Sequence, residues 1–234
     1  MKNILFILIF SRITLAQSIN IQVGYTGFDL SDQKRQFEQI VNSFNEFADG
    51  DFVVPIQENL PSNYIVSGAA IYPINEKIDL GVMVSLTKTN SYALYGDVLG
   101  NIDFKSDFNM FLVGGLFQNN FSTSEDYKLG LGAILSVGSY SYKVELKVEY
   151  PQLPEYNSSS SDSYSGTLFA GEPYLYFTYN ILKEVALICH IGYRIGTSIK
   201  PDNEQVYPIQ FNSDNEQKAN TSGYVLAIGI QYSL

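Results

Sequence analysis

The closing stretch Tyr224-Val225-Leu226-Ala227-Ile228-Gly229-Ile230-Gln231-Tyr232-Ser233-Leu234 sorts onto two faces with a period of two. Tyr224, Leu226, Ile228, Ile230, Tyr232 and Leu234 share one side; Val225, Ala227, Gly229, Gln231 and Ser233 share the other. Side chains alternate across a strand, so this spacing predicts a strand with one greasy face and one slim, sparsely polar face.

The alternation recurs upstream. Ile19, Ile21, Val23 and Tyr25 oppose Asn20, Gln22, Gly24 and Thr26, and Ile78, Leu80, Val82, Val84 and Leu86 oppose Asp79, Gly81, Met83, Ser85 and Thr87. Tyr127, Leu129, Leu131, Ala133, Leu135 and Val137 oppose Lys128, Gly130, Gly132, Ile134, Ser136 and Gly138. Leu187, Cys189, Ile191, Tyr193 and Ile195 oppose Ala186, Ile188, His190, Gly192, Arg194 and Gly196. Stretches near 64–72, 104–117 and 166–179 are strand-like with blurred faces, which brings the predicted number to eight. Several runs reach the roughly 9–11 residues a tilted strand needs to cross a bilayer.

The connections also alternate. Those at 73–77, 119–125 and 180–183 are short, whereas 27–63, the Tyr95-Gly96-Asp97 region, the Ser-rich Asn157–Ser163 and 200–220 are predicted as the longer ones. Short turns on one side and long loops on the other suit a membrane barrel. Composition agrees: 45% of the 234 residues are hydrophobic, 14% aromatic and only 16% charged. That is too apolar for a disordered chain. The net charge of −10 opposes binding to a phosphate backbone, so no nucleic acid partner is expected.

A soluble lipocalin-like secreted barrel, the alternative fold, hides its large apolar residues and shows charge outside. Here the slim face carries Gly, Ser, Ala, Thr and Asn with isolated ionised residues, too little charge for a solvated exterior. The expectation is therefore apolar-out. Residues 1–16, with Lys2, the apolar Ile4–Phe10 and Thr14-Leu15-Ala16 before Gln17, have the pattern of a secretory signal peptide. Residues 17–234 then form the barrel domain.

On these features the chain resembles the OmpA/OmpW-like class of small bacterial outer-membrane proteins: an all-β, eight-stranded antiparallel up-and-down transmembrane β-barrel. The resemblance implies an outer-membrane location, outer-membrane lipid as surroundings and biogenesis through the barrel-assembly machinery, with a monomer expected. The chain ends in Leu234 where that class often ends in an aromatic residue, and it lacks Trp. Any interfacial girdle must be built from Tyr and Phe, with Tyr25, Tyr72, Phe108, Phe117, Tyr127, Tyr179, Tyr193 and Tyr224 as candidates.

One segment departs from the strand period. From Ser31 to Gly50, Phe37, Ile40, Val41, Phe44, Phe47 and Ala48 follow helical spacing, with Lys34, Arg35, Glu38, Asn42 and Glu46 opposite. Ser31 suits an N-cap and Gly50 a helix end. One amphipathic helix, about 31–50, is predicted in the first long loop. Its stripe is expected to pack on the barrel rim or other loops; a lid over the lumen mouth and a partner or membrane contact are the alternatives.

Catalytic chemistry finds no purchase in the chain. Cys189 and His190 are its only Cys and His, and as strand neighbours they point to opposite faces. Outer-membrane lipid deacylases carry a serine two residues after the histidine, where this chain has Gly192. No catalytic residue, metal site or cofactor is predicted, and the chain is not read as an enzyme. On the inner face, Glu172 falls roughly opposite Gly192, with His190 and Arg194 on the diagonals, and is expected to pair with Arg194 and His190. Asp79, Asp107 and Lys128 are expected to form a second group. Since eight strands leave an interior just filled by side chains, a structural or surface-interacting role leads. A narrow channel or carrier for a small hydrophobic ligand, gated by the 31–50 helix, is the alternative.

Overall fold

A computed structural model describes residues 17–28, 63–96, 101–151, 154–198 and 222–234. The predicted signal segment and the 31–50 helix lie outside these residues. The strands are β1 (Ser18–Phe28), β2 (Asn63–Pro73), β3 (Ile78–Gly96), β4 (Asn101–Thr123), β5 (Tyr127–Glu149), β6 (Ser158–Asn180), β7 (Val185–Ser198) and β8 (Gly223–Ser233). Each pairs antiparallel with the next, and β1 pairs with β8, so the sheet closes into an up-and-down barrel. No α-helix occurs among the described residues; a 3-10 turn spans Pro154–Tyr156.

The short turns lie at the end of the barrel that also holds both ends of the sheet. In the β2–β3 turn the Asn75 Oδ1 accepts from the backbone of Lys77 and Ile78, both at 2.9 Å, an Asx arrangement that fixes a tight reversal. Ser124 does the same for Asp126 and Tyr127 between β4 and β5. The Leu234 amide donates to the Gln17 carbonyl at 2.8 Å, tying the last residue to the first strand.

The greasy side faces outward. Ile21 is 63% exposed and Leu135 73%, and Leu131, Leu226 and Ile228 are likewise on the outside. Asn20, Gln22, Ser85, Gln118 and Thr178 are buried within. Outward aromatic residues sit near both ends of the apolar band: Tyr25, Tyr64, Tyr193 and Tyr224 at one, Tyr72, Phe117, Tyr127, Tyr179 and Tyr232 at the other. Tyr193 and Tyr224, opposite each other in register, meet edge to face at 5.1 Å. Phe108 does not belong to either row. It points inward and is buried, because the even residues of β4 face the interior from Phe108 to Asn120.

Four strands outgrow the barrel. β4, β5 and β6 have 23 residues each and β3 has 19, whereas β1, β2 and β8 have 11. The β2 ladder on β3 ends at Lys88 and the β7 ladder on β6 at Leu168. Beyond those rows the four strands continue as a projecting sheet. The Ser-rich stretch predicted as a loop is part of it: Ser158–Ser163 pairs with Val148–Lys143. Likewise β4 runs to Thr123, leaving only 124–126 as turn.

In this projection the hydrophobic phase reverses. Along β5 the outward residues change from Tyr127–Val137 to Ser139, Ser141, Lys143, Glu145, Lys147 and Glu149. The inward residues change from Gly and Ser to Tyr140, Tyr142, Leu146 and Val148. Asp103, Lys105 and Asp107 of β4 lie opposite Lys147, Glu145 and Lys143, opposite charges at every rung.

Candidate functional site: a charged and aromatic chain across the lumen

The inner wall carries one connected set of buried side chains. Arg194 of β7 donates through both Nε and Nη2 to the Glu172 Oε2, each at 2.8 Å. His190 Nε2 stands 2.9 Å from the other oxygen, Oε1; the pair is close but not aligned as a hydrogen bond. Arg194 is 2% exposed and Glu172 3%, with His190 equally buried. A lone charge so placed carries a desolvation penalty of several kcal/mol, which the pairing offsets.

Position comes from the strands. Gly171 pairs with Ile195 and Tyr174 with Gly192, so regular register sets Glu172 directly across from Arg194 rather than Gly192. The turn between β6 and β7 is centred on Lys183 rather than on Leu182, and moving the centre by one residue moves the pairing by two. The β6–β7 ladder breaks between these rungs, at Pro173, which has no N–H to donate.

The set extends through aromatic rings. The Tyr174 ring stacks on His190 with centroids 4.3 Å apart and packs against Tyr176 at 5.9 Å. The Tyr176 hydroxyl donates to the Asn120 Oδ1, and the Asn120 Nδ2 donates to the Asp79 Oδ2 at 3.0 Å. The sequence Arg194–Glu172–His190–Tyr174–Tyr176–Asn120–Asp79 thus runs from β7 through β6 and β4 to β3. Ile71, Met83, Leu116 and Ile134 pack around the two tyrosines.

Two glycines make room for the rings. Gly132 lies opposite Tyr174 and Gly130 opposite Tyr176. A Cβ on Gly132 would fall 2.3 Å from the Tyr174 Cζ, and one on Gly130 2.4 Å from the Tyr176 hydroxyl oxygen. Inward tyrosines therefore lie flat across the glycines of the neighbouring strand.

The second predicted group does not assemble. Asp79 is inside and bonded to Asn120. Asp107 is on the opposite face of β4, and it sits eleven residues beyond Gln118, the partner of Asp79, roughly 36 Å along the strand. It belongs to the outer charged rungs beside Lys143. Lys128 faces inward near the short-turn end, half-buried, and no ion pair joins it to Asp79 among the described residues. Tyr174, Tyr176 and Asn120 escaped the sequence reading, although Gly130 and Gly132 facing two alternate tyrosines is a signal for them. Phe37, Ile40, Val41, Phe44 and Phe47 lie outside the described residues.

The arrangement supplies ion pairing and aromatic packing within the bore. The outward, half-buried Cys189 cannot reach the inward His190 network, and Gly192 next to that histidine offers no nucleophile. Among the described residues no three His, Cys, Asp or Glu side chains converge as metal ligands.

No family model matches the chain, and no curated protein matches it by sequence. Solved structures similar to it include small eight-stranded outer-membrane β-barrels. Ail, the attachment invasion locus protein of Yersinia pestis, crystallised with the heparin analogue sucrose octasulfate, is 14% identical, covering 93% of this chain and 98% of its own, with a TM-score of 0.42. Neisserial surface protein A is 16% identical over 93% of this chain and 95% of its own, with a TM-score of 0.41. CarO of Acinetobacter baumannii is 13% identical over 94% of this chain and 99% of its own, at 0.40. The chain itself is a closed eight-stranded antiparallel barrel, the architecture on which its resemblance to the small outer-membrane barrels rests.

Proposed function

We propose that this protein is an integral outer-membrane barrel, exported by its N-terminal segment, whose lumen is closed by side chains and whose work is done at the surface by the projecting sheet and loops. One observation carries the membrane reading: the large aliphatic side chains face outward in a continuous band, and at that height Asp79, Glu172, His190 and Arg194 are buried within. The band from Tyr127 to Val137 spans ten residue steps, which at about 3.3 Å each and a tilt of about 40° gives a height near 25 Å, the thickness such barrels present to lipid. Water around that band would leave far more contiguous apolar area than a soluble monomer exposes. The soluble lipocalin-like alternative requires the opposite orientation.

A structural or surface-interacting role is favoured over a conduit because the Arg194–Glu172–His190–Tyr174–Tyr176 set occupies the bore. We propose a monomeric, non-enzymatic protein without cofactor. The test is membrane fractionation with heat-modifiable gel mobility, followed by planar-bilayer recording. The barrel should fractionate with outer membrane, migrate faster before boiling and show no steady conductance. A freely soluble protein without heat-modifiable mobility would end the membrane reading; a stable small-solute conductance would end the closed-lumen reading alone.

A further inference from the structure

Buried polar side chains without partners gather in the half of the bore away from the short turns. Thr26 is fully buried, Asn63 and Thr87 are 3% exposed and Thr89 6%. Yet Thr26 Oγ1, Asn63 Oδ1, Thr87 Oγ1 and Thr89 Oγ1 have no hydrogen-bond partner among the described residues. Register sets them side by side. Thr26 pairs with Asn63; Asn63 stands one step past the Tyr64–Lys88 rung, level with Thr89, and Thr87 is the next inward residue of β3. Arg194, whose Nη1 is likewise unpaired, lies across β8 from Thr26: it pairs with Gly223, and Thr26 with Val225 two residues on. Gly223 puts no side chain between them. Native structures leave few buried polar atoms unpartnered, because each bare one costs free energy. Dry cavities are lined by apolar groups, so a patch of this polarity is filled.

The walls decide the occupant. β6 stands opposite β2 in the closed ring, and there Leu168 joins Met110 and Leu112 of β4 in an apolar cluster. The threonine and asparagine wall is uncharged, and the Arg194 charge is already met by Glu172, so an ion would enter without a counter-charge. Threonine hydroxyls donate or accept, the amide oxygen accepts and the guanidinium donates. An eight-stranded interior leaves room for only a few atoms. We infer that this half of the bore is a binding chamber for a small neutral diol or polyol. Its hydroxyls meet Thr26, Asn63, Thr87, Thr89 and the Arg194 Nη1, its carbon skeleton lies on Met110, Leu112 and Leu168, and the Glu172–Arg194 pair is the floor. One polar edge and one apolar wall make a site that fixes a ligand's orientation as well as holding it.

Methionine supplies the reporters. Beyond Met1 the chain has only Met83 and Met110; Met110 is on the chamber wall, and Met83 is in the separate cluster around Tyr174 and Tyr176. With the methionine methyls carbon-13 labelled in the full barrel in micelles, added 1,2-propanediol should shift the Met110 resonance saturably in the millimolar range and leave Met83 in place. Thr87→Val, which removes one hydroxyl at constant shape, should weaken that binding about five- to tenfold, the loss of one hydrogen bond, with heat-modifiable mobility retained. Thr26→Val gives the same reading should Thr87→Val not fold. Propan-1-ol, one hydroxyl poorer, should bind more weakly, and acetate should leave Met110 unmoved. A Met110 resonance indifferent to the diol overturns the inference and leaves water as the occupant. So does propan-1-ol binding as tightly as the diol, the mark of an apolar cavity, or acetate binding, the mark of an ion site. Equal, unsaturable shifts at Met83 and Met110 overturn it as a solvent effect, as does undiminished binding in a folded threonine variant. The chamber rests on the side-chain-filled bore proposed above, and the two fail separately: an open bore conducts in planar bilayers, an absent chamber leaves Met110 unmoved.

Discussion

At the scale of single residues, the fold turns on where charge is tolerated. Glu172 and Arg194 are enclosed, and each makes the other's presence affordable. Glu172→Gln leaves the Arg194 guanidinium buried without its carboxylate, which should cost about 3–5 kcal/mol; replacing both, Glu172→Gln with Arg194→Met, should recover most of that. Urea unfolding in detergent micelles checks this. A single variant costing no more than a surface substitution would mean the pair contributes nothing. The pairing was legible because isolated acidic and basic residues shared one face of neighbouring strands. Its exact rung was not, since the effective centre of the Ile181–Glu184 turn sets register and a shift of one residue there moves the partner by two. The tyrosines were hidden for a different reason: Tyr174 and Tyr176 alternate with Leu175 and Phe177, so both faces of β6 look apolar.

At the scale of elements, β5 is two half-strands of opposite phase, and the outer face of β4 changes with it, from apolar to Asp107, Lys105 and Asp103. On the membrane reading proposed above, apolar residues point out within the band because acyl chains surround them, and point in within the projection because water does. That reversal explains why 104–117 read as blurred and why Phe108 and Asp107 were assigned to the wrong faces, whereas β1 and β8, which never leave the band, were legible residue by residue. It also explains the Ser-rich stretch, whose polarity suits an outer strand face as well as a loop. Above the band the ion pairs run along the strands, Lys105 with Asp103, Lys143 with Glu145 and Lys147 with Glu149. The Lys143 ammonium, by hydrogen bonding and by its charge, keeps the Glu145 carboxyl below the usual carboxylate range. The unfolded segment therefore binds that proton more readily, and the contribution is present near neutrality and lost as pH falls below the ordinary carboxylate range. Hydrogen exchange, corrected for intrinsic rates, should show protection at 143–147 declining in acid while that at 129–135 holds. Glu145→Gln should flatten the response; an unchanged acid profile in that variant would assign the effect to another group.

At the scale of the whole molecule, the sheet meets three environments: a bore in which buried ionised groups pair, an outer band free of charge, and a projection whose outer face sets Asp103, Lys105 and Asp107 against Lys147, Glu145 and Lys143. The same substitution should therefore have different costs at different heights. Leu131, outward and near the middle of the band, is exposed to whatever surrounds the barrel. Leu131→Arg should cost about 2–4 kcal/mol if that surrounding is hydrocarbon. Glu149→Arg, outward at the tip of the same strand, sits among solvated charges and should change stability by no more than about 0.5 kcal/mol. Refolding equilibria in phospholipid vesicles measure both. The difference between the two sites is what identifies the surroundings, because water on both would make Leu131→Arg as harmless as Glu149→Arg. Equal costs would remove the hydrocarbon from around Leu131 and with it the reason for the inverted barrel.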